Sequence, residues 1–106
     1  MDLNELGRSI AAKQPILTQA VAFGELTLTV DLGALVGVIQ YLKDDADCRF
    51  TSLVDITAVD HPESVARFEV VYHFLSMHRN QRIRVKVAVT EADMVPSVIG
   101  VHPSAN

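Results

Sequence analysis

Gln81-Arg82-Ile83-Arg84-Val85-Lys86-Val87-Ala88-Val89-Thr90 decides the reading of this chain. Ile83, Val85, Val87 and Val89 alternate with Arg82, Arg84 and Lys86. A period of two residues is the mark of a strand with one face in a core and the other in water. Just before it, Arg67 to Met77 carries Phe68, Val70, Val71, Tyr72, Phe74 and Leu75, and Ser76 to Asn80 turns the chain. Before that, Arg49 to Val59 holds Phe50, Leu53, Val54, Ile56 and Val59, followed by a turn from Asp60 to Ser64. The second half is therefore a meander of three strands.

The first half mixes helices with strands. Leu3, Leu6 and Ile10 recur at three and four residues, so Asp2 to Ala12 is predicted as a short amphipathic helix that Pro15 ends. Asp2 and Glu5 lie near its positive end, and Gly7 weakens it. Ile16 to Phe23 and Glu25 to Val30 form two short strands around Gly24, a hairpin. Asp31 caps a second helix whose expected stripe is Leu32, Leu35, Val36, Ile39 and Leu42. The order is α-β-β-α-β-β-β. It implies an α+β fold in two layers, a mixed five-stranded sheet with both helices on one face. The second helix joins the hairpin to the meander, so one strand pairing should be parallel. Leu35, Ile39, Leu42, Val70, Tyr72, Val85 and Val87 are expected in the core.

The 106 residues suit a single domain, 1–106, and 49% of them are hydrophobic, enough for one core without staples. Met94 to Asn106 has Val95, Val98, Ile99 and Val101 between two prolines, and no later element buries them. The N-terminus has no basic stretch before an apolar run, and Leu32 to Leu42 is too short for a membrane span. A cytosolic position, or the cytosolic side of a membrane complex, is expected, without direct membrane insertion.

Charge is segregated. The first sixty residues hold nine acids and four bases, whereas residues 67–90 hold one acid and five bases. The row Arg82, Arg84 and Lys86 has two readings, a solvated strand face or a docking face for an acidic partner. Nucleic acid is disfavoured, because the net charge is −4 and no aromatic residue interleaves with these bases.

Catalytic motifs are absent. The single cysteine, Cys48, follows an acidic run that raises rather than lowers a thiol's pKa. His61, His73, His78 and His102 show no metal-ligand spacing, and no phosphate loop or nucleophile elbow occurs. His73 and His78, five positions apart, would face opposite sides of one strand. A small acid–base hydrolase built on Asp55, Asp60 and His73 is the catalytic alternative. It requires those side chains to converge, although Asp55 and Asp60 should also face opposite sides of a straight strand.

Five blocks carry a resemblance: Phe50-Thr51-Ser52-Leu53-Val54-Asp55-Ile56-Thr57-Ala58-Val59-Asp60, Arg67 to Ser76, Asn80 to Val87, Val95-Pro96-Ser97-Val98, and His102-Pro103-Ser104-Ala105-Asn106. In this order they resemble the 30-kilodalton-type subunit of the proton-pumping NADH:quinone oxidoreductase, respiratory complex I. That family carries a tryptophan followed by Glu-Arg-Glu and an aspartate directly after the Pro-Ser-Ala-Asn stretch. The sequence stops at Asn106, so a piece shortened before that signature is expected.

The resemblance implies a subunit without flavin, iron–sulfur cluster, metal or quinone chemistry of its own. It implies a place in the peripheral arm, on the cytoplasmic side of the inner membrane. The partners would be the subunits that form the quinone site and hold the terminal cluster, and the role assembly and stabilisation. The equivalent subunit of a membrane-bound energy-converting hydrogenase is the alternative within the same fold.

Overall fold

The alternating row at Ile83, Val85, Val87 and Val89 lies at the centre of the molecule, each side chain at most 4% exposed. The computed structural model describes residues 2–63 and 68–89. Their elements are α1 (Leu3–Lys13), β1 (Thr18–Ala22), β2 (Glu25–Val30), a 3-10 turn (Leu32–Ala34), α2 (Leu35–Asp44), β3 (Ser52–Asp60), β4 (Phe68–Ser76) and β5 (Gln81–Val89). Arg67, Ser64 and the stretch 90–106, with His102, the last two resemblance blocks and the apolar residues near the end, lie outside the described residues.

The sheet order is β1-β2-β5-β4-β3. After β2 the chain passes through α2 to the far edge, then returns through β3, β4 and β5. The last strand enters beside β2, and this is the one parallel pairing among the described residues, with Leu26 opposite Ile83, Leu28 opposite Val85 and Val30 opposite Val87. β4 adds Val70, Tyr72 and Phe74 to the same face, opposite Val87, Val85 and Ile83. The Tyr72 and Phe74 rings lie 6.5 Å apart and nearly parallel. Each large side chain buried on this face contributes about 1.5–3 kcal/mol.

Both helices cover that face, and their buried residues join one cluster with the strands. All seven expected core residues are in it. In α1 the Asp2 carboxylate accepts from the Glu5 amide at 2.8 Å, an N-cap that also suits the helix dipole. Gly7 is a close approach as well as a weak point. A Cβ there would meet Gln19 Oε1, the end of a flexible, exposed side chain that can swing aside, and would stand 3.1 Å from Leu26 Cδ1 in the core, which would have to yield by a few tenths of an ångström.

The second helix departs from expectation. Its first turn is 3-10, and the Asp31 side chain makes no cap bond; the Asp31 carbonyl instead accepts from Ala34 N at 2.9 Å. The α-helical stripe is then Leu35, Val38, Ile39 and Leu42, spaced 3, 1 and 3, while Val36 is exposed. At about 100° per residue, Val36 points a quarter-turn away from that stripe and Val38 returns to it.

Strand limits also shift. The chain between α2 and β3 is wound up, with Phe50 N donating to Leu42 O at 2.8 Å and Arg49 at φ 51°, so β3 starts at Ser52 rather than Arg49. Phe23 belongs to the hairpin turn, not to β1.

Candidate interaction surface

Strand register assigns the polar side chains of the sheet's other face. One row across it is Thr27, Arg84, His73 and Asp55; the next is Thr29, Lys86, Val71 and Thr57. Arg82, Arg84 and Lys86 therefore share the uncovered face, as the alternation requires. Their charges are not equivalent. Arg84 Nε lies 3.7 Å from Glu25 Oε2, and Lys86 Nζ lies 3.6 Å from Glu69 Oε1. Both pairs are diagonal neighbours across strands, a geometry suited to opposite charges. Arg82 is exposed, and among the described residues no carboxylate forms an ion pair with it.

The hydrolase trio is not brought together. Asp55 and His73 are cross-strand neighbours on the uncovered face, whereas Asp60 pairs with Phe68 and belongs to the helix side. The Asp55 carboxylate accepts from the Ile56 amide at 2.9 Å. His73 Nε2 lies 3.3 Å from Thr57 Oγ1. His78 is not on the strand with His73 but in the β4–β5 turn, its Nδ1 3.5 Å from Arg49 Nη1.

Cys48 is buried, and its thiol pKa is pushed up to about 12 by burial first and by Asp45 second. The same two causes push the Tyr41 phenol up to about 12. Asp45 organises this loop, accepting the Asp47 amide on its carboxylate and the Cys48 and Arg49 amides on its carbonyl. Arg79 ties the loop to the β4–β5 turn, donating to Asp47 O at 2.9 Å and Gln81 Oε1 at 2.8 Å. A protonated, enclosed thiol is a packing group, not a nucleophile. Among the described residues no three His, Cys, Asp or Glu side chains gather as metal ligands. Among the same residues, no helix is long and apolar enough to cross a membrane.

The feature that sequence reasoning missed is β3. Val54, Ile56 and Val59 have the composition of core residues but are 50%, 46% and 43% exposed. β3 is an edge strand paired only with β4 among the described residues, and its register shifts between Leu53 and Asp55. The signal was present in the dimensions. Two helices, each roughly 10 Å across, cover about four strands spaced roughly 4.8 Å apart. On the fifth strand this leaves Ile56, opposite Tyr72 on the helix side, bare, while Val59, opposite Glu69, is on the uncovered face in any case. A bare edge that also carries aliphatic side chains leaves apolar surface and backbone hydrogen-bonding groups in water.

The sequence is 58% identical over 98% of its length to the C-type subunit of the NADH-quinone oxidoreductase of Cereibacter sphaeroides. It is 54% identical, over the same share, to the protein of that name from a Ruegeria species. The chain spans about half, 53%, of each of these relatives. Among solved structures, a chain of the membrane-bound sulfane sulfur reductase, an archaeal respiratory membrane complex, superposes with a TM-score of 0.81 at 24% identity. That match covers 96% of this chain and 60% of the other, and it establishes the shared fold. The sequence profile described as respiratory-chain NADH dehydrogenase, 30 Kd subunit, matches residues 28–106, and the chain belongs to that family.

Proposed function

We propose that this chain is part of a non-catalytic assembly subunit in the peripheral arm of an NADH:quinone oxidoreductase. In that role it supports electron transfer from NADH to quinone, coupled to proton translocation, without contributing a redox centre. The observation that carries the reading is the 58% identity to the C-type subunit of an NADH-quinone oxidoreductase across nearly the whole chain. The physical chemistry supports it. The ionisable groups are dispersed, the one thiol is enclosed, and five exposed apolar side chains, Phe23, Val54, Ile56, Val59 and Met77, lie on an edge strand and two hairpin turns.

The partners are other subunits of that complex, with those forming the quinone site and holding the terminal cluster as the specific candidates. The position is peripheral to the membrane, on its cytoplasmic side. The hydrogenase-type alternative is not favoured, since the relatives from Cereibacter sphaeroides, Ruegeria sp. and Ruegeria pomeroyi carry the name of the C-type subunit of NADH-quinone oxidoreductases.

Native separation of detergent-solubilised membranes tests the assignment. The full-length protein carrying this chain should migrate with NADH:quinone reductase activity, and its deletion should abolish the assembled band. Migration apart from that activity, or an intact active complex after deletion, would overturn it. Flavin and metal analysis of the isolated full-length protein should give well under one equivalent per chain.

A further inference from the structure

The β1–β2 turn and the β4–β5 turn lie at the same end of the sheet, because β2 and β5 run parallel. Between them is an open groove of about 430 Å³ lined by Phe23, Leu75, Met77 and Arg82, among others. Phe23 is 100% exposed and Met77 75% exposed, the two barest large apolar side chains described. Phe23 also sits at φ 52°, followed by Gly24 at φ 75°. Two left-handed residues make the tight hairpin turn that favours Asn-Gly or Gly-Gly. A bulky side chain at the first of them is disfavoured by its own backbone and gains nothing from the fold, since its ring is in solvent. An outlier of this kind points to a use outside the domain.

Charge defines the use. Glu25 also lines the groove, but its carboxylate faces Arg84 at 3.7 Å. Arg82, the groove's cation, has no carboxylate partner among the described residues and lies beside two exposed apolar walls.

We propose that the Phe23–Met77–Arg82 groove docks a segment of a neighbouring protein subunit that presents a carboxylate next to an apolar side chain. The inference rests on the assembly reading and names the contact. The carboxylate meets the Arg82 guanidinium, while the apolar side chain enters between Phe23 and Met77. Aromatic and arginine anchors of this kind dominate the energetics of protein interfaces. A membrane surface is the poorer fit, because electrostatic lipid recognition uses clusters of about four to eight bases and this groove offers one beside an acid.

The test uses the full-length protein in its assembled complex. A photo-reactive phenylalanine analogue at position 23 should crosslink to a peptide from a different subunit, one with Asp or Glu beside an apolar residue. Phe23→Gly fits the turn backbone and should leave the fold intact, yet speed the protein's loss from the solubilised complex roughly tenfold or more, the loss expected for a dominant interface residue. Arg82→Glu should act in the same direction, and its effect should shrink at high salt. Crosslinks to lipid alone, or none, with dissociation rates unchanged in both variants, would overturn the docking site while leaving the assembly reading intact. A full-length protein that never enters the complex would overturn the assembly reading, and this inference with it.

Discussion

β3 and β5 are both nine residues long, and both pair antiparallel with β4 from opposite sides. Their fates differ. β5 buries Ile83, Val85, Val87 and Val89, whereas β3 buries only Leu53 and leaves Val54, Ile56 and Val59 partly in water. Both strands use β-branched aliphatic residues, so composition does not separate them. Position does: β5 is central and lies under the helices, while β3 lies at the margin of the helix layer. In β5 apolar side chains hold the domain together. In β3 they are available to something else.

The largest expected effect breaks or keeps this contrast directly. Leu35→Ala removes a fully buried member of the α2 stripe and should cost about 2–5 kcal/mol in urea unfolding. Ile56→Ala, on a side chain already 46% exposed, should cost less than about 1 kcal/mol in the isolated chain. Equal losses would mean that β3 is as much a part of the core as β5. A small loss for Ile56→Ala combined with weakened assembly would assign β3 to the complex rather than to the domain.

A second effect is confined to the covered region. Burial raises the Cys48 thiol from 9.0 to about 12, and raises the Tyr72 phenol as well. Between those limits the unfolded chain releases a proton that the folded chain retains. The unfolded state then binds fewer protons, so stability declines as pH rises. This contribution is fully present below pH 9.0 and is lost towards about pH 12. Urea midpoints measured from pH 7 upward should fall above roughly pH 9. Cys48→Ala should flatten the decline, and Ile56→Ala should leave it unchanged. A decline of the same steepness in the Cys48 variant would show that the thiol is not the group responsible.

Much of the architecture was legible because its signals are local. The alternation from Arg82 to Val89, the spacing of Leu3, Leu6 and Ile10, and the turn glycine Gly24 each specify an element within a few residues. What was illegible depends on distance in space. Val36 and Val38 are chemically the same, and a 3-10 turn ahead of α2 sets which one enters the core. The exposure of Ile56 follows from the width of two helices against five strands, which no window of sequence contains. The candidate surface was legible in part. The shared face of Arg82, Arg84 and Lys86 follows from the period of two, but the neutralising partners of Arg84 and Lys86, Glu25 and Glu69, come from other strands.

The smallest effect concerns the reverse side of β5, where the same strand that anchors the core meets solvent. Lys86 and Glu69 are about a third exposed and 3.6 Å apart. A pair in that setting gains little, because water screens the attraction and two long side chains lose freedom in forming it. The coupling between Lys86 and Glu69 in a double-mutant cycle should lie at about 0.2–1 kcal/mol. It should shrink further in roughly 1 M salt, where the Debye length is only about 3 Å. The Lys86 stem serves a second purpose in the same place. Val71 is directly opposite Lys86 in the register, and it is 6% exposed on a face that neither helix covers. Long polar side chains that lie along the sheet can supply that cover. Lys86→Met keeps the stem and deletes the charge, while Lys86→Ala deletes both. Lys86→Met should stay within about 0.5 kcal/mol of the parent, the range of ordinary surface changes. Lys86→Ala should cost more than Lys86→Met, and that excess should persist at high salt. The reverse order, or an excess that vanishes with salt, would mean that charge rather than apolar cover holds the open face of the sheet.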